Sequence, residues 1–366
     1  MPASTYQLML DGSPADDDFF DAVTSVEVEE NADLPDALLL KLAVSRTATG
    51  NLDFPDDSRL RPFVNLAVVA TPEDGEDACI FDGYVLSHKL HFQSGLTAAT
   101  LEVWAQDASW LMNLEEKTRE WVDVTDADVA SSIFGDYGID PAGDNTNEDS
   151  PSHTEDGHSL MQRGTDIQFL RSLARRNGKL CRVFCTDTPG VRTGYFAAPD
   201  LSGESVATLA PNDPEAPSTG AVDIEWDATH PTAVNASQAT FTDSSPEGVS
   251  GDSTDSGLSA LDSQGLADFT GKTTTVRLTA TVDDAGELEM RARSLLRESE
   301  WFVSCETETD VSRLGAVLRV GQIVELGGAG ALHSGKYLVW SVRHTITGDA
   351  HRMRLRLVRN AVGGSS

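Results

Sequence analysis

Residues 162–178 read Gln162-Arg163-Gly164-Thr165-Asp166-Ile167-Gln168-Phe169-Leu170-Arg171-Ser172-Leu173-Ala174-Arg175-Arg176-Asn177-Gly178. Thr165 stands where a helix N-cap should, and Gln168 three residues on has the spacing of a capping box. Ile167, Leu170 and Ala174 fall on one face at helical spacing, widened by Phe169 and Leu173. Arg171, Arg175 and Arg176 lie outside that face or near its end, where positive charge suits the helix dipole. Asn177-Gly178 supplies the stop. The stretch predicts a capped amphipathic helix over 165–177, which needs a surface to pack on and no chemistry.

On its N-terminal side, Trp121-Val122-Asp123-Val124 is a short strand. Thr125 is an N-cap, and Asp126 and Asp128 put negative charge in a first turn. Val129, Ile133 and Phe134 then form the stripe of a helix over 126–136. The polar stretch 140–157 is read as a loop; the oxygens of its acidic part, 140–150, would suit Ca²⁺, but its spacing does not match the familiar calcium loop. Further out, residues 1–115 hold short β-compatible runs separated by turn clusters such as Asp11-Gly12, with no helix between them, and this favours an antiparallel barrel or sandwich.

On the C-terminal side, Leu180–Phe184 begins a strand. Residues 242–271 are rich in Ser, Asp and Gly and are expected to bury little, as a polar insertion. Leu288, Ala292, Leu295 and Leu296 mark a helix near 284–300. Three strands follow, and the last alternates Met353, Leu355 and Leu357 with Arg352, Arg354 and Arg356. The expected fold is mainly β with an α+β insertion: β over 1–115, α/β over 116–225, β over 226–366.

Composition narrows the function. The chain has 366 residues, with 59 acidic against 27 basic and a net charge of −32; only six of the basic residues are Lys. Such an excess repels itself unless salt screens it, and at molar salt the screening length is about 3 Å. The balance suits a halophile and argues against nucleic acid as a partner. No run approaches the ~18 apolar residues of a membrane span, and MPASTYQLML has no signal-peptide core, so synthesis in the cytoplasm is expected. Cys79, Cys181, Cys185 and Cys305 lack zinc-knuckle spacing and are read as buried free thiols. No nucleophile elbow or His-Glu-x-x-His motif occurs, and Gly327-Gly328-Ala329-Gly330 lacks the Lys-Ser/Thr of a phosphate loop. No catalytic residue, cofactor or metal is expected.

Three ordered segments carry a resemblance. They are Phe81-Asp82-Gly83-Tyr84-Val85; Gln162 to Ala174 closed by Gly178; and Leu318 to Gly327 followed by His333-Ser334-Gly335-Lys336-Tyr337-Leu338-Val339-Trp340-Ser341-Val342-Arg343-His344. Together they resemble the late control gene D family of tail hub proteins and the hub half of VgrG-type spikes. The residues assigned to the pattern, with structural roles, are Phe81, Gly83, Gln162, Gly164, Phe169, Leu170, Leu173, Ala174, Gly178, Gly321, Gly327, Ser334, Gly335, Tyr337 and His344. The resemblance implies two antiparallel β-barrel domains with an α/β domain between them. It also implies a homotrimer that presents six barrels and adapts a sixfold tail tube to a threefold spike, in a virus tail or a contractile injection particle. The expected partners are the inner tail tube protein, baseplate wedge components and a spike, which is expected to be a separate protein because the sequence stops at Ser366. The competing readings are a tail-tip hydrolase of the cell envelope and a stand-alone β-rich binding protein.

Overall fold

Strand alternation puts every second side chain of the N-terminal third on one inner face. The strands are β1 (Thr5–Leu10), β2 (Val23–Asn31), β3 (Ala37–Val44), β4 (Asn65–Thr71), β5 (Ala78–Phe92) and β6 (Ala99–Asp107). Leu8, Leu10, Val26, Val28, Leu38, Leu40, Leu42, Leu66, Val68, Leu101 and Val103 from these strands bury one cluster. Between β1 and β2, where no helix was expected, stands the short helix α1 (Asp17–Ala22), capped by Asp16, which adds the buried Phe19 to that cluster. This computed structural model describes residues 5–47, 49–73, 75–92, 99–142, 151–155, 159–214, 217–238, 249–280 and 285–363.

The middle third packs two hairpin-like pairs around two helices. It contains β7 (Glu116–Trp121), α2 (Asp126–Asp136), β8 (Leu160–Thr165), α3 (Asp166–Arg176), β9 (Leu180–Cys185) and β10 (Arg192–Ala197). β7 pairs with β8, and β9 with β10, both antiparallel. Val129, Ile133 and Phe134 of α2 meet Ile167, Phe169, Leu170, Leu173 and Ala174 of α3 in a second core. The reciprocal capping box occurs at α2, between Thr125 and Asp128. At α3 the hydroxyl of Thr165 accepts from the Gln168 N–H at 3.4 Å and donates to Asn113 Oδ1 at 2.8 Å.

The last third supplies β11 (Ser205–Leu209), β12 (Val222–Trp226), β13 (Ala233–Gln238), β14 (Thr275–Leu278), α4 (Ala285–Ser299), β15 (Val303–Asp310), β16 (Ile323–Leu326), β17 (Gly335–Ile346) and β18 (His351–Arg359). β13, β14 and α4 form a small annex with its own core of Val234, Ala236, Leu288, Ala292 and Leu296. The other strands surround a third core that includes Val303, Val324, Tyr337, Val339, Met353, Leu355 and Leu357.

The two β thirds share a strand order. In the first, the sheet runs β2-β3-β6-β5-β4-β1; in the last, β12-β15-β18-β17, then β16 and β11. Numbered one to six within each part, both read 2-3-6-5-4-1. They differ at one end, where β4–β1 is antiparallel and β16–β11 parallel. They are also joined. β17 pairs antiparallel with β2, from Ser341↔Asn31 to Ile346↔Val26, so one thirteen-stranded sheet crosses the molecule. The mainly β architecture is therefore the expected one, with the two β parts hydrogen-bonded to each other through β2 and β17.

Two expectations are corrected. Cys79 and Cys185 are not free thiols: they form a disulfide with Cα atoms 5.8 Å apart, while Cys181 and Cys305 are free and buried. The sequence separation of 106 residues concealed a pairing that only the packing of β5 against β9 creates. Secondly, within the polar stretch 242–271, residues 249–271 fold onto the last β part; 242–248 lie outside the described residues. Leu261 and Leu266 are buried. Their chain is held by Asn360, whose side chain accepts from Leu261 N–H and donates to the Ser259 carbonyl, and by the Gln264–Val362 bridge. Polar side chains there satisfy backbone groups rather than water, which composition alone does not reveal. Most of the loop considered for Ca²⁺, 143–150, also lies outside the described residues.

Candidate functional site at the seam between the β parts

β17 runs through two cores. Val339 and Val342 belong to the third core and Ile346 to the first. His344, at the same inward register between them, is fully buried. On β2, alternation carries Val26 and Val28 inward and then Glu30, which is also buried. Nε of Arg319, from the turn before β16, donates to Glu30 Oε1 at 2.6 Å. Its Nη1 and Nη2 donate to the carbonyls of Thr186 at 3.2 Å and Cys185 at 3.0 Å. Arg182 of β9 stands 3.8 Å from Glu30 and 3.4 Å from Asp36, and His344 Nε2 is 3.4 Å from Glu30. One carboxylate and one guanidinium thus tie all three parts of the chain. Burial alone would raise the Glu30 carboxyl, but Arg319, with His344 and Arg182, holds it below the ordinary range. His344 Nδ1 lies 3.0 Å from His351 Nε2, and burial, with His344 beside it, pushes His351 down to about 3.

Asp36 lies behind this group. Its N–H donates to Asp107 Oδ2 at 2.6 Å, and Asp107 N–H returns a bond to the Asp36 carbonyl at 3.0 Å. Burial pushes Asp36 up to about 7; Arg182 opposes this, while Glu30 and Asp107 add to it. A carboxyl raised in the folded state holds its proton after the unfolded chain has lost it, so its contribution to stability falls as pH rises from about 4 to about 7. Asp36→Asn, which cannot titrate, is expected to gain about 1 kcal/mol or more on the native protein between pH 5 and pH 7. Parallel urea titrations at the two pH values check this; an unchanged difference would refute it.

The seam opens into a cavity of about 620 Å³. Glu30, Arg182 and Arg319 line it, with Gly321 and Gln322 of the following turn. That turn is fixed by Gly321 at φ +89°, whose N–H donates to the Val339 carbonyl, and by Gln322 Oε1 accepting from Arg319 N–H at 2.8 Å.

The residues assigned from the resemblance do not form one site. Gly321 and His344 reach the seam. Phe81 lies in the first core. A Cβ on Gly83 would stand 2.0 Å from the Gln106 carbonyl, so β5 and β6 approach there only through glycine. The neighbouring Asp82 pairs with Arg192 at 2.9 Å and ties β5 to β10. Gln162 accepts from Trp121 Nε1 at 3.1 Å and donates to Asp166 Oδ1 at 2.5 Å. Burial would raise Asp166, but Lys117, Tyr137 and Gln162 hold it below the ordinary range. Gly164 has φ +106°. Phe169, Leu170, Leu173 and Ala174 are second-core packing. Gly327 N–H donates to the Leu209 carbonyl at 2.9 Å. Ser334, Gly335 and Tyr337 gather around a separate pair, Arg359–Asp262, with Arg359 5.0 Å from the Tyr337 ring centre and the Tyr337 hydroxyl donating to the His333 carbonyl.

Gly178 ends α3 at φ +61° and lies against α4, where a Cβ would stand 2.8 Å from Ser294 Cα. Gly178→Ala is expected to cost about 1–3 kcal/mol from its backbone angle alone. A thermal melt beside that of Gly138→Ala, at φ +64° with open space around it, separates the clash from the angle; equal losses would rule out the α4 contact.

Sequence reasoning missed Glu30, Asp36, Arg182 and Arg319. The available signal was a charge in a core-face register, as in Val26-Glu27-Val28-Glu29-Glu30, but the partner of Glu30 is 289 residues away. The Arg stripe on β18 is answered within the chain: Arg356, Arg354 and Arg352 face Glu306, Glu308 and Asp310 of β15. Arg354 and Glu306 are 3.1 Å apart and both exposed, so the pair adds little stability. Among the described residues, no three His, Cys, Asp or Glu side chains are placed to share a metal ion, and no helix is long and apolar enough to cross a membrane.

The fold recurs in solved tail proteins. A tail protein from Neisseria meningitidis has 14% identity and a TM-score of 0.67, covering 98% of this chain and 97% of its own. A 43 kDa prophage MuSo2 tail protein from Shewanella oneidensis has 13% identity and a TM-score of 0.66, covering 98% and 100%. An E. coli component of the type VI secretion system, described as structurally similar to bacteriophage T4 tail proteins, has 12% identity and a TM-score of 0.56, covering 94% and 76%. The chain therefore has a tail-protein fold. It belongs to the family described as the Alg8 N-terminal domain, whose model matches residues 2–348. No curated protein matches it.

Proposed function

We propose that the chain is a structural baseplate hub subunit of a contractile particle, a trimeric adaptor between a sixfold tail tube and a threefold spike. The observation that carries this reading is the repeated strand order, 2-3-6-5-4-1, in two β parts of one chain. Three such chains present six similar β units, which suits a sixfold tube on one side and a threefold object on the other. The full-length likeness to tail proteins supports it. The partners are the inner tail tube protein, the spike and baseplate wedge components, and the site of action is the assembled particle. The seam hydrogen-bonds the two β parts to each other, which suits a rigid adaptor. Closing a threefold ring needs heterologous contacts.

Light scattering at molar KCl tests the assembly: the expected species is near three times the 39.2 kDa chain. With a net charge of −32, it should dissociate or unfold as KCl is removed. A folded monomer at every concentration, together with normal tails in a deletion strain, would refute the adaptor.

A further inference from the structure

The seam cavity has an apolar interior and an acidic rim. Val317, Val320, Leu338, Val339, Leu180 and Phe184 supply its apolar wall. Among them Arg182 is 7% exposed. Its Nε has no hydrogen-bond partner, and its Nη2 meets the Asp36 carboxylate only at 3.4 Å. A buried donor without an acceptor is costly, and Arg182 is one of the residues that line the cavity. The other guanidinium, Arg319, is satisfied by Glu30 and two carbonyls. At the mouth stand Glu76, Asp77, Asp187 and Asp200, all exposed. Asp77, Asp187 and Asp200 accept from the hydroxyls of Thr71, Thr186 and Ser202, and no cation among the described residues pairs with any of the four.

We propose that this cavity docks a short apolar, uncharged segment of a partner protein, flanked by Lys or Arg. The segment enters extended: its side chains fill the apolar wall, one main-chain carbonyl accepts from the Arg182 guanidinium, and its basic flanks rest on the four rim carboxylates. An acidic segment is excluded by the same rim. The volume lies within the range of about 300–1,000 Å³ usual for ligand sites, and an occupant touches all three parts of the chain at once. The partner is defined by its chemistry and not by the tail reading, so the two stand or fall separately.

The probe is a fluorescein-labelled, capped Lys-Leu-Val-Leu-Lys peptide, titrated with the full chain by anisotropy at the lowest KCl that preserves the fold. Saturable binding is expected. Arg182→Lys, which keeps the charge but loses the fork of donors, should weaken it about five- to tenfold. The exposed pair Glu76→Gln with Asp77→Asn should weaken it about two- to tenfold while leaving a Gln-Leu-Val-Leu-Gln peptide unchanged. If Arg182→Lys fails to fold, the rim variant decides alone. The proposal is overturned by no saturation up to about 1 mM, by equal binding of Glu-Leu-Val-Leu-Glu, or by affinity indifferent to the rim variant.

Discussion

Arg319→Ala is expected to lower the unfolding free energy by about 3–5 kcal/mol, because it strands a buried carboxylate. The Glu30 side chain is 1% exposed and that of Arg319 12%, so only water entering from the cavity can replace the lost partner. Arg182, at 3.8 Å, is already shared with Asp36. The carbonyls of Cys185 and Thr186 lose their donor as well. Glu30→Leu alone should be costly for the converse reason, leaving the Arg319 charge unpaired at the seam. The double variant Glu30→Leu with Arg319→Met should recover much of the loss, since an apolar pair of similar volume removes both desolvation penalties. The measurement is a double-mutant cycle by urea unfolding at molar KCl, with protomer concentration fixed. Additive losses, or a loss below about 1 kcal/mol for Arg319→Ala, would mean that β2–β17 pairing and core packing hold the seam without the ion pair.

The second large effect concerns the disulfide. Cys79 on β5 and Cys185 at the end of β9 fasten the first β part to the middle part beside the cavity. The bond spans 106 residues, and in the chain-entropy account a loop of that length restricts the unfolded state by about 4–5 kcal/mol. Replacing both cysteines by Ser is expected to cost about 2–5 kcal/mol. Both residues are buried, at 0% and 2% exposure, so a reductant reaches the bond only through opening of the structure. Dithiothreitol should therefore leave the urea midpoint unchanged after brief native exposure and lower it after an unfolding and refolding cycle. Peptide mapping without reductant gives the direct check: a free Cys79 thiol in the folded protein would remove the prediction.

The helices were legible in the sequence for a local reason. Thr165 before Ile167, Leu170 and Ala174, with Asn177-Gly178 after them, encodes cap, stripe and stop within one short segment. The structure places α3 over Asp166–Arg176 on that stripe. Strands such as β18 were legible likewise, because Met353, Leu355 and Leu357 alternate with arginines. The candidate site was hardly legible. Its turn glycine, Arg319 and His344 lie in motifs that drew notice, yet Glu30 and Asp36, Arg182 and Arg319 come from three distant places and look like ordinary charges in an acidic chain. The disulfide was hidden in the same way.

What the sequence determined by itself is therefore what depends on neighbours in the chain: which segments are helix or strand, which faces are apolar, where turns fall, and a charge of −32. Tertiary structure alone decided what depends on distant partners. These are the repeated strand order of the β parts, their fusion through β2 and β17, the Glu30–Arg319 pair, the Cys79–Cys185 bond and the cavity beside them. The physical reason is that propensity and periodicity act over a few residues. A buried charge or thiol, by contrast, takes its meaning from whatever the completed packing brings within about 4 Å of it.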